Sequence, residues 1–284
     1  MHYIVENPIT LLEVLNLLYA DSSNKTLRDM LKHGRVTVDD QVVVKASTIV
    51  EKGQNVRVGE VVRKVADRMK IIYDDRNLIV IDKAEGLLSV PLDAKDSTNA
   101  LELLKDYFHT DEIYAVHRLD KESSGVMVFA RGKKSAIFLN EKFKNHDLKR
   151  VYLAIVQGNL KESEGTWTSF LHEVNSYKVF PTTDESEGRE AITHYRVVRR
   201  SKNFSFLELT LETGRKHQIR VHCNQAGHPI AGDRLYGVKS CNPILRMCLH
   251  SSVLEVEHPL TNKLMRFVAP TPRAFSRLGF EGVC

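Results

Sequence analysis

The residues best suited to chemistry lie in Val116-His117-Arg118-Leu119-Asp120-Lys121-Glu122-Ser123-Ser124-Gly125, a polar knot that runs directly into the apolar stretch Val126-Met127-Val128-Phe129-Ala130. A strand anchored in a core holds the loop before it still, and catalytic side chains sit disproportionately on loops held that way. Asp120 is the carboxylate so placed. Read in isolation, Arg118-Leu119-Asp120 is more often a solvated turn with a local ion pair; what lifts it is agreement with two segments further along the chain. A metal reading fares worse. His217, His222 and Cys223 lack the spacing of a two-Cys two-His zinc site, and no second cluster supplies the remaining ligands. Cys223, Cys241, Cys248 and Cys284 form no Cys-x-x-Cys pair and no disulfide framework, which points to reduced thiols.

The elements that must position Asp120 begin after a separate module, residues 1–60. There Thr10-Leu11-Leu12-Glu13 is a capping box, the Thr accepting from an orphan N–H and the Glu reaching back, and it opens a helix to about Tyr19. A second helix begins near Thr26 and stops at Gly34, which takes the left-handed position past a helix end. Val36-Thr37-Val38 and Val42-Val43-Val44 then flank Asp39-Asp40-Gln41 as two strands round a turn. Lys25, Arg28, Lys32 and Arg35 recur at helical spacing, so four cations share one face of the second helix and its exit. Such a face suits an RNA backbone, and it is also what a solvated helix surface looks like. Residues 61–70, with Arg63, Lys64 and Arg68 and little apolar periodicity, are the expected linker.

Residues 71–284 form the second domain. Ile71-Ile72-Tyr73 and Leu78-Ile79-Val80-Ile81 are β-rich runs around Asp74-Asp75-Arg76-Asn77, a hairpin signal. Ser97-Thr98 caps a helix with Leu101, Leu104, Tyr107 and Phe108 on its apolar face, and residues 132–146 form a second helix with its lysines outward. Phe204 to Leu211 alternates as a half-buried strand does and delivers the chain to Thr213, the expected N-cap of a helix that ends at Gly227 before Pro229. That helix carries Arg220 in its middle and Arg215 near its N-terminus, where backbone N–H groups favour a phosphate. The acidic stretch Asp184-Glu185-Ser186-Glu187-Gly188 reads as a mobile connection.

The chain has 284 residues, 42% hydrophobic and 27% charged, as expected of a soluble globular protein larger than one average domain. No run approaches the roughly 18 apolar residues of a membrane span, and the start lacks the basic n-region and cleavage pattern of a signal peptide. A cytoplasmic monomer is the expectation. The net charge of +5 permits a polyanionic partner. Residues 1–60 hold seven Lys or Arg against eight Asp or Glu, a net of −1, which leaves +6 for the remainder. Bulk attraction therefore belongs to the second domain.

His117-Arg118-Leu119-Asp120 followed by Ser123-Ser124-Gly125 resembles the signature of the RluA family of pseudouridine synthases. Lys149-Arg150-Val151-Tyr152-Leu153-Ala154-Ile155-Val156-Gln157-Gly158 is similar to that family's tyrosine motif, and Leu211-Glu212-Thr213-Gly214-Arg215-Lys216-His217-Gln218-Ile219-Arg220-Val221-His222 to its arginine motif, in the family's order. Ser123 stands where the family usually has Thr, and Ala84 where Pro often follows the lysine. The first module resembles the S-four RNA-binding domain, or αL motif, although Asp39-Asp40 replaces its usual Asn-Gly turn and adds negative charge near the basic face.

The resemblance implies an α+β fold, with the S-four-like module joined to a catalytic domain whose mixed, mainly antiparallel central sheet is flanked by helices. It implies isomerisation of uridine in structured RNA, ribosomal RNA first and transfer RNA second, with neither metal nor cofactor. Asp120 is then the reacting carboxylate, either adding to the anomeric carbon or supporting loss of the base. A carboxylate under a base is pushed toward its neutral form by desolvation, so an opposite charge is needed beside it, and Arg220 is the candidate. Tyr152 stacks on the flipped uracil. Arg118 either enters the RNA stack or binds a phosphate, and Arg215 joins it in RNA binding with Lys25, Arg28, Lys32 and Arg35. A non-catalytic RNA-binding protein that has kept the fold is the alternative, opposed by the intact Asp120, Tyr152 and Arg220. Against a hydrolase with paired carboxylates, no second carboxylate in the three motifs matches a family catalytic position.

Overall fold

The computed structural model describes residues 2–20, 22–32, 36–39, 41–58, 63–66, 68–92, 98–173, 178–237 and 244–280. The chain divides into two compact units, residues 1–64 and 65–284.

The first unit comprises β1 (His2–Ile4), β2 (Ile9–Thr10), α1 (Leu11–Leu18), α2 (Asn24–Lys32), β3 (Val36–Val38), β4 (Gln41–Val42), β5 (Ile49–Val50) and β6 (Asn55–Val58). Its sheet runs β1-β6-β3-β4, with β2 paired to β5 apart from it. The Thr10–Glu13 capping box forms at α1. The second helix starts earlier than Thr26, because the Ser23 hydroxyl takes the Thr26 N–H at 3.2 Å and supplies the cap. Leu11, Val14, Leu15, Leu27 and Leu31 pack with Val36, Val50 and Val56 into a separate core. Asp39 adopts a left-handed φ of 48°, and its carboxylate accepts from the Asn55 N–H and the Gln54 amide at 2.9 Å each. Its charge is thereby engaged in fixing the start of β6. The second strand of that turn is shorter than Val42-Val43-Val44, since β4 ends at Val42. Gly34, Arg35 and Asp40, and the side chain of Lys32, lie outside the described residues.

Part of the expected linker is strand: β7 (Arg63–Ala66) precedes β8 (Met69–Asp74). There follow β9 (Leu78–Lys83), α3 (Ala100–Phe108), β10 (Ile113–Ala115), β11 (Ser124–Arg131), α4 (Lys133–Lys144), β12 (Lys149–Gln157), β13 (Glu164–Glu173), β14 (Val179–Thr182), β15 (Arg189–Arg200), β16 (Phe204–Leu211), α5 (Gln218–Gln225), β17 (Leu249–Glu257), β18 (Leu264–Val268) and a closing 3-10 turn at Arg273–Leu278. The sheet order is β14-β13-β15-β16-β12-β17-β11-β9-β8-β7, with β10 added to β11 and β18 to β17. The β11–β17 pairing is parallel, and the neighbouring pairs on both sides of it are antiparallel.

That parallel junction lies at the start of β11, immediately after the Asp120 loop. It consists of Ser124 opposite His250 and Gly125 opposite Ser251. A Cβ on Gly125 would sit 2.0 Å from the Ser251 carbonyl oxygen, and its φ is +111°, so only glycine fits there. Alternate side chains of β11 feed two cores: Met127 and Phe129 join one with Leu104, Ile155 and Phe206, while Val126, Val128 and Ala130 join another with Ala136 and Leu139. Burial on both faces explains why β11 is continuously apolar, and it makes the strand a stiff support for the loop that precedes it.

Two helix starts in this unit differ from the sequence reading. The cap of α3 is Asn99, its side-chain oxygen accepting from the Glu102 N–H at 3.0 Å, one residue past Thr98, and Ser97 lies outside the described residues. The last helix begins at Gln218 rather than after Thr213, because His217 holds a left-handed φ of 53°. Arg220 accordingly lies in the first turn of α5 and not in mid-helix.

Candidate active site

Asp120 sits in a loop tied down from two sides. Ser89 brackets the residue before it, its hydroxyl donating to the Leu119 carbonyl at 2.6 Å and accepting from the Leu119 N–H at 3.1 Å. Lys83, at the end of β9, is fully buried, and its ammonium donates to the carbonyls of Ser123 at 2.7 Å and Leu87 at 2.8 Å. One cation thus joins the Asp120 loop to the segment that carries Ser89. Burial lowers the Lys83 pKa to about 8, against the opposing pull of Asp120 and Glu122. On the other side, His117 stacks on Phe143 with ring centroids 4.4 Å apart and accepts the Val128 N–H at 3.0 Å. Burial, then the Arg150 charge, pushes His117 down to about 3, so it is a neutral acceptor.

Folding brings Arg220 to this loop. Its Nη1 donates to Asp120 Oδ2 at 3.0 Å, while Nε and Nη2 donate to the two oxygens of Asp233 at 2.7 and 2.9 Å. Asp233 also accepts from the N–H groups of Leu235 and Tyr236, at 2.9 and 3.1 Å. Burial alone pushes the guanidinium toward losing its proton; Asp233, then Asp120, outweigh it and raise the pKa above its ordinary value. The Tyr236 ring lies 5.2 Å from the guanidinium carbon. Arg220 is thus a permanent, oriented charge against one oxygen of Asp120. The residue that orients it, Asp233, was not singled out from the sequence: it follows Gly232 in a turn and only the tertiary fold shows its partner.

Tyr152 lies on β12 where the register against β17 shifts, a bulge that re-aims a side chain. It is 8% exposed, and burial raises its phenol pKa. His217 sits beside Asp120, Nε2 to Oδ2 3.8 Å, with its Nδ1 2.9 Å from the Tyr236 hydroxyl. Tyr152, Asp120, Arg220, Arg118, Arg215, His217 and Arg150 all line one cleft of 1380 Å³. Arg118 is exposed there with no side-chain hydrogen bond or ion pair among the described residues. Arg215 donates from Nε to the Glu190 carbonyl at 2.9 Å, on a loop rather than at a helix start. Lys25 and Arg28 are exposed on α2 of the first unit. Among the described residues no group of three His, Cys, Asp or Glu could hold a metal. His222 instead bonds Ser169 and Thr193, at 2.9 Å each.

The cleft therefore offers one carboxylate against a fixed guanidinium, a nearly enclosed phenol and a rim of cations. Residues 77–225 match the family described as RNA pseudouridylate synthase. The chain is 30% identical over 270 residues to an uncharacterised RNA pseudouridine synthase of Bacillus subtilis, covering 90% of this chain and 88% of that one. It is 31% identical over 285 residues to the ribosomal large subunit pseudouridine synthase D of Pseudomonas aeruginosa, covering 91% and 87%. Its fold is similar to that of human RNA pseudouridylate synthase domain containing 1, with a TM-score of 0.62 at 25% identity over 74% of this chain and 86% of that one. Among the described residues no helix is long and apolar enough to cross a membrane.

Proposed function

The chain belongs to the RNA pseudouridylate synthase family, whose activity is the isomerisation of uridine to pseudouridine in RNA, and we propose how its residues divide that work. The reaction breaks the bond from N1 of uracil to the sugar, turns the base and joins C5 to the same sugar carbon. The proton that leaves C5 is balanced by one gained at N1, so atoms and electrons balance within the substrate and solvent. The uridine must first leave its stack.

Asp120 is the reacting carboxylate. Whether it adds to the sugar carbon or supports loss of the base, it acts in its charged form, and Arg220 provides the opposite charge that favours that form under a bound base. The observation that carries this assignment is the 3.0 Å bond from Arg220 Nη1 to Asp120 Oδ2, made between residues 100 positions apart. Tyr152 presents a ring for the uracil and a neutral phenol at its edge. Arg118, exposed and without a side-chain hydrogen bond or ion pair among the described residues, is the side chain that enters the RNA, and Arg215 adds a backbone contact.

The RNA is ribosomal, from the large subunit. Relatives that span most of this chain carry that substrate in their names, and the first unit, read as S-four-like and with Lys25 and Arg28 exposed on its second helix, suits a large structured RNA. We read the enzyme as a cytoplasmic single chain that needs no bound metal. Purified protein should raise the pseudouridine content of total RNA from cells lacking it, and Asp120→Asn should abolish this while leaving RNA affinity within a few fold. Equal loss of binding and turnover would give Asp120 a structural role instead.

A further inference from the structure

Arg150, two positions before Tyr152 on β12, is 8% exposed and lines the same cleft. Its Nη2 donates to the Thr213 carbonyl at 3.2 Å, and its buried Nε has no partner. Among the described residues no carboxylate reaches it. His146, in the turn after α4 at a left-handed φ of 57°, carries a buried Nδ1 that is also without a partner. Only one other buried side-chain polar atom among the described residues lacks a hydrogen bond, Glu85 Oε2, and it lies in an ion pair 2.6 Å from Arg246 Nε. Both unanswered nitrogens therefore belong to one end of the cleft.

The charge at that end is one-sided. Burial, then Arg150 and Arg215, holds His146 below its ordinary pKa. The acids nearby in sequence or in the cleft are taken: Asp147 pairs with Lys142, and Glu173 with Lys216. Gly214 leaves the room that the guanidinium uses, since a Cβ there would stand 2.5 Å from Arg150 Nη1. A buried cation with so little internal compensation is costly unless an anion completes it. A guanidinium fork matches a phosphate, whose oxygens accept what Arg150 and His146 have to donate.

We propose that Arg150, His146 and Arg215 form a binding site for one phosphodiester of the RNA strand, next to the uridine that Tyr152 receives. Two positions along a strand span about 6.7 Å, the scale of one nucleotide, so one strand of protein sets base and phosphate side by side. The strand's identity as RNA rests on the pseudouridine synthase reading; the anion chemistry does not.

The test uses the full chain, total RNA from cells lacking the protein, and inorganic phosphate as the free-anion probe. Filter binding and turnover are measured across a salt series for wild type, Arg150→Gln and Arg150→Lys. Arg150→Gln should raise KM roughly tenfold or more with kcat nearly unchanged, and flatten the plot of log affinity against log salt by about 0.7. Arg150→Lys should keep the slope. Phosphate should raise the Tm of wild type and not of Arg150→Gln. Equal slopes for wild type and Arg150→Gln overturn the proposal; equal slopes with phosphate stabilisation lost in the variant reassign the site to a free anion and overturn its RNA role. If Arg150→Gln does not fold, Arg215→Gln carries the same comparison, since it removes the other cation of the site, and an unchanged slope there counts equally against the site. A wild type that binds RNA but makes no pseudouridine would sink the functional reading alone, because the binding slopes still decide the subsite.

Discussion

Arg220 and Arg150 are buried in the walls of one cleft, 4% and 8% exposed, with opposite company. Arg220 meets two carboxylates through three charge-assisted hydrogen bonds; Arg150, among the described residues, meets one carbonyl. Removing a guanidinium from water costs several kcal/mol in either place. At Arg220 the protein offsets that cost itself, and the result is a rigid pair that holds Asp120 in one geometry. At Arg150 the offset is incomplete, and what is left over is affinity for an anion from outside. The same side chain thus serves as part of the frame in one wall and as part of the docking surface in the other. The deciding variable is whether a carboxylate such as Asp233 stands behind it or, among the described residues, only a carbonyl.

Breaking the frame should have the largest effect. Arg220→Met leaves Asp233 buried with only backbone donors, so it should cost roughly 3–5 kcal/mol of stability and remove turnover. Arg220→Met with Asp233→Leu should recover much of that stability in denaturant titrations without recovering turnover, since Asp120 still lacks its cation. A single variant as stable as wild type would show that the pair is not what orders this wall.

Asp233→Asn sharpens the same point through pH. Burial alone pushes the Asp233 carboxyl up, and Arg220 with the N–H groups of Tyr236 and Leu235 outweighs this and holds it below the usual carboxylate range. A carboxyl depressed in the folded state contributes stability above its unfolded pKa of about 3.9 and loses it as pH falls through the folded value. The stability gap between wild type and Asp233→Asn should be full near neutrality and narrow only below about pH 4. A gap that stays constant down to pH 2 would mean that Asp233 is not the ionised partner.

The docking wall should respond more mildly. Gly214→Ala places a methyl against Arg150 Nη1, the movable end of a side chain, and the backbone there needs no special φ. Thermal stability should change by less than about 1 kcal/mol, while RNA affinity falls a few fold. Loss of folding instead would show that the guanidinium has nowhere to go. The smallest effect belongs to the first unit: Lys25→Ala with Arg28→Ala should flatten the salt dependence of RNA binding by under about 2 units and leave turnover on a short stem-loop unchanged. An unaltered slope would make that face a solvated surface.

Local signals were legible where the chemistry is local. The Thr10–Glu13 capping box, the alternation of β16 and the polar loop before β11 each depend on neighbours a few positions apart, and each formed as read. The start of α5 was misread because Thr213 looks like an N-cap, whereas its hydroxyl donates to Gln218 Oε1 at 2.8 Å and accepts the Ile192 N–H at 2.9 Å. A partner on another strand outcompeted the local cap. At α3 the cap is the next residue, Asn99, whose side chain reaches the Glu102 N–H.

The sequence by itself determined which residues are the candidates for the reaction and their order along the chain, because the motif residues around Asp120, Tyr152 and Arg220 are each contiguous and carry their own spacing. It also determined the stiffness of the support, through the continuous apolar run of β11 and a glycine where no Cβ fits. Only the tertiary structure decided which charges answer one another. Asp233, Lys83 and Arg150 are ordinary residues along the chain, and what distinguishes them is burial together with a partner, or the lack of one, that arrives from a remote strand or loop. Burial magnifies electrostatic consequences by removing water, and burial is a property of the packed fold rather than of any short stretch within it.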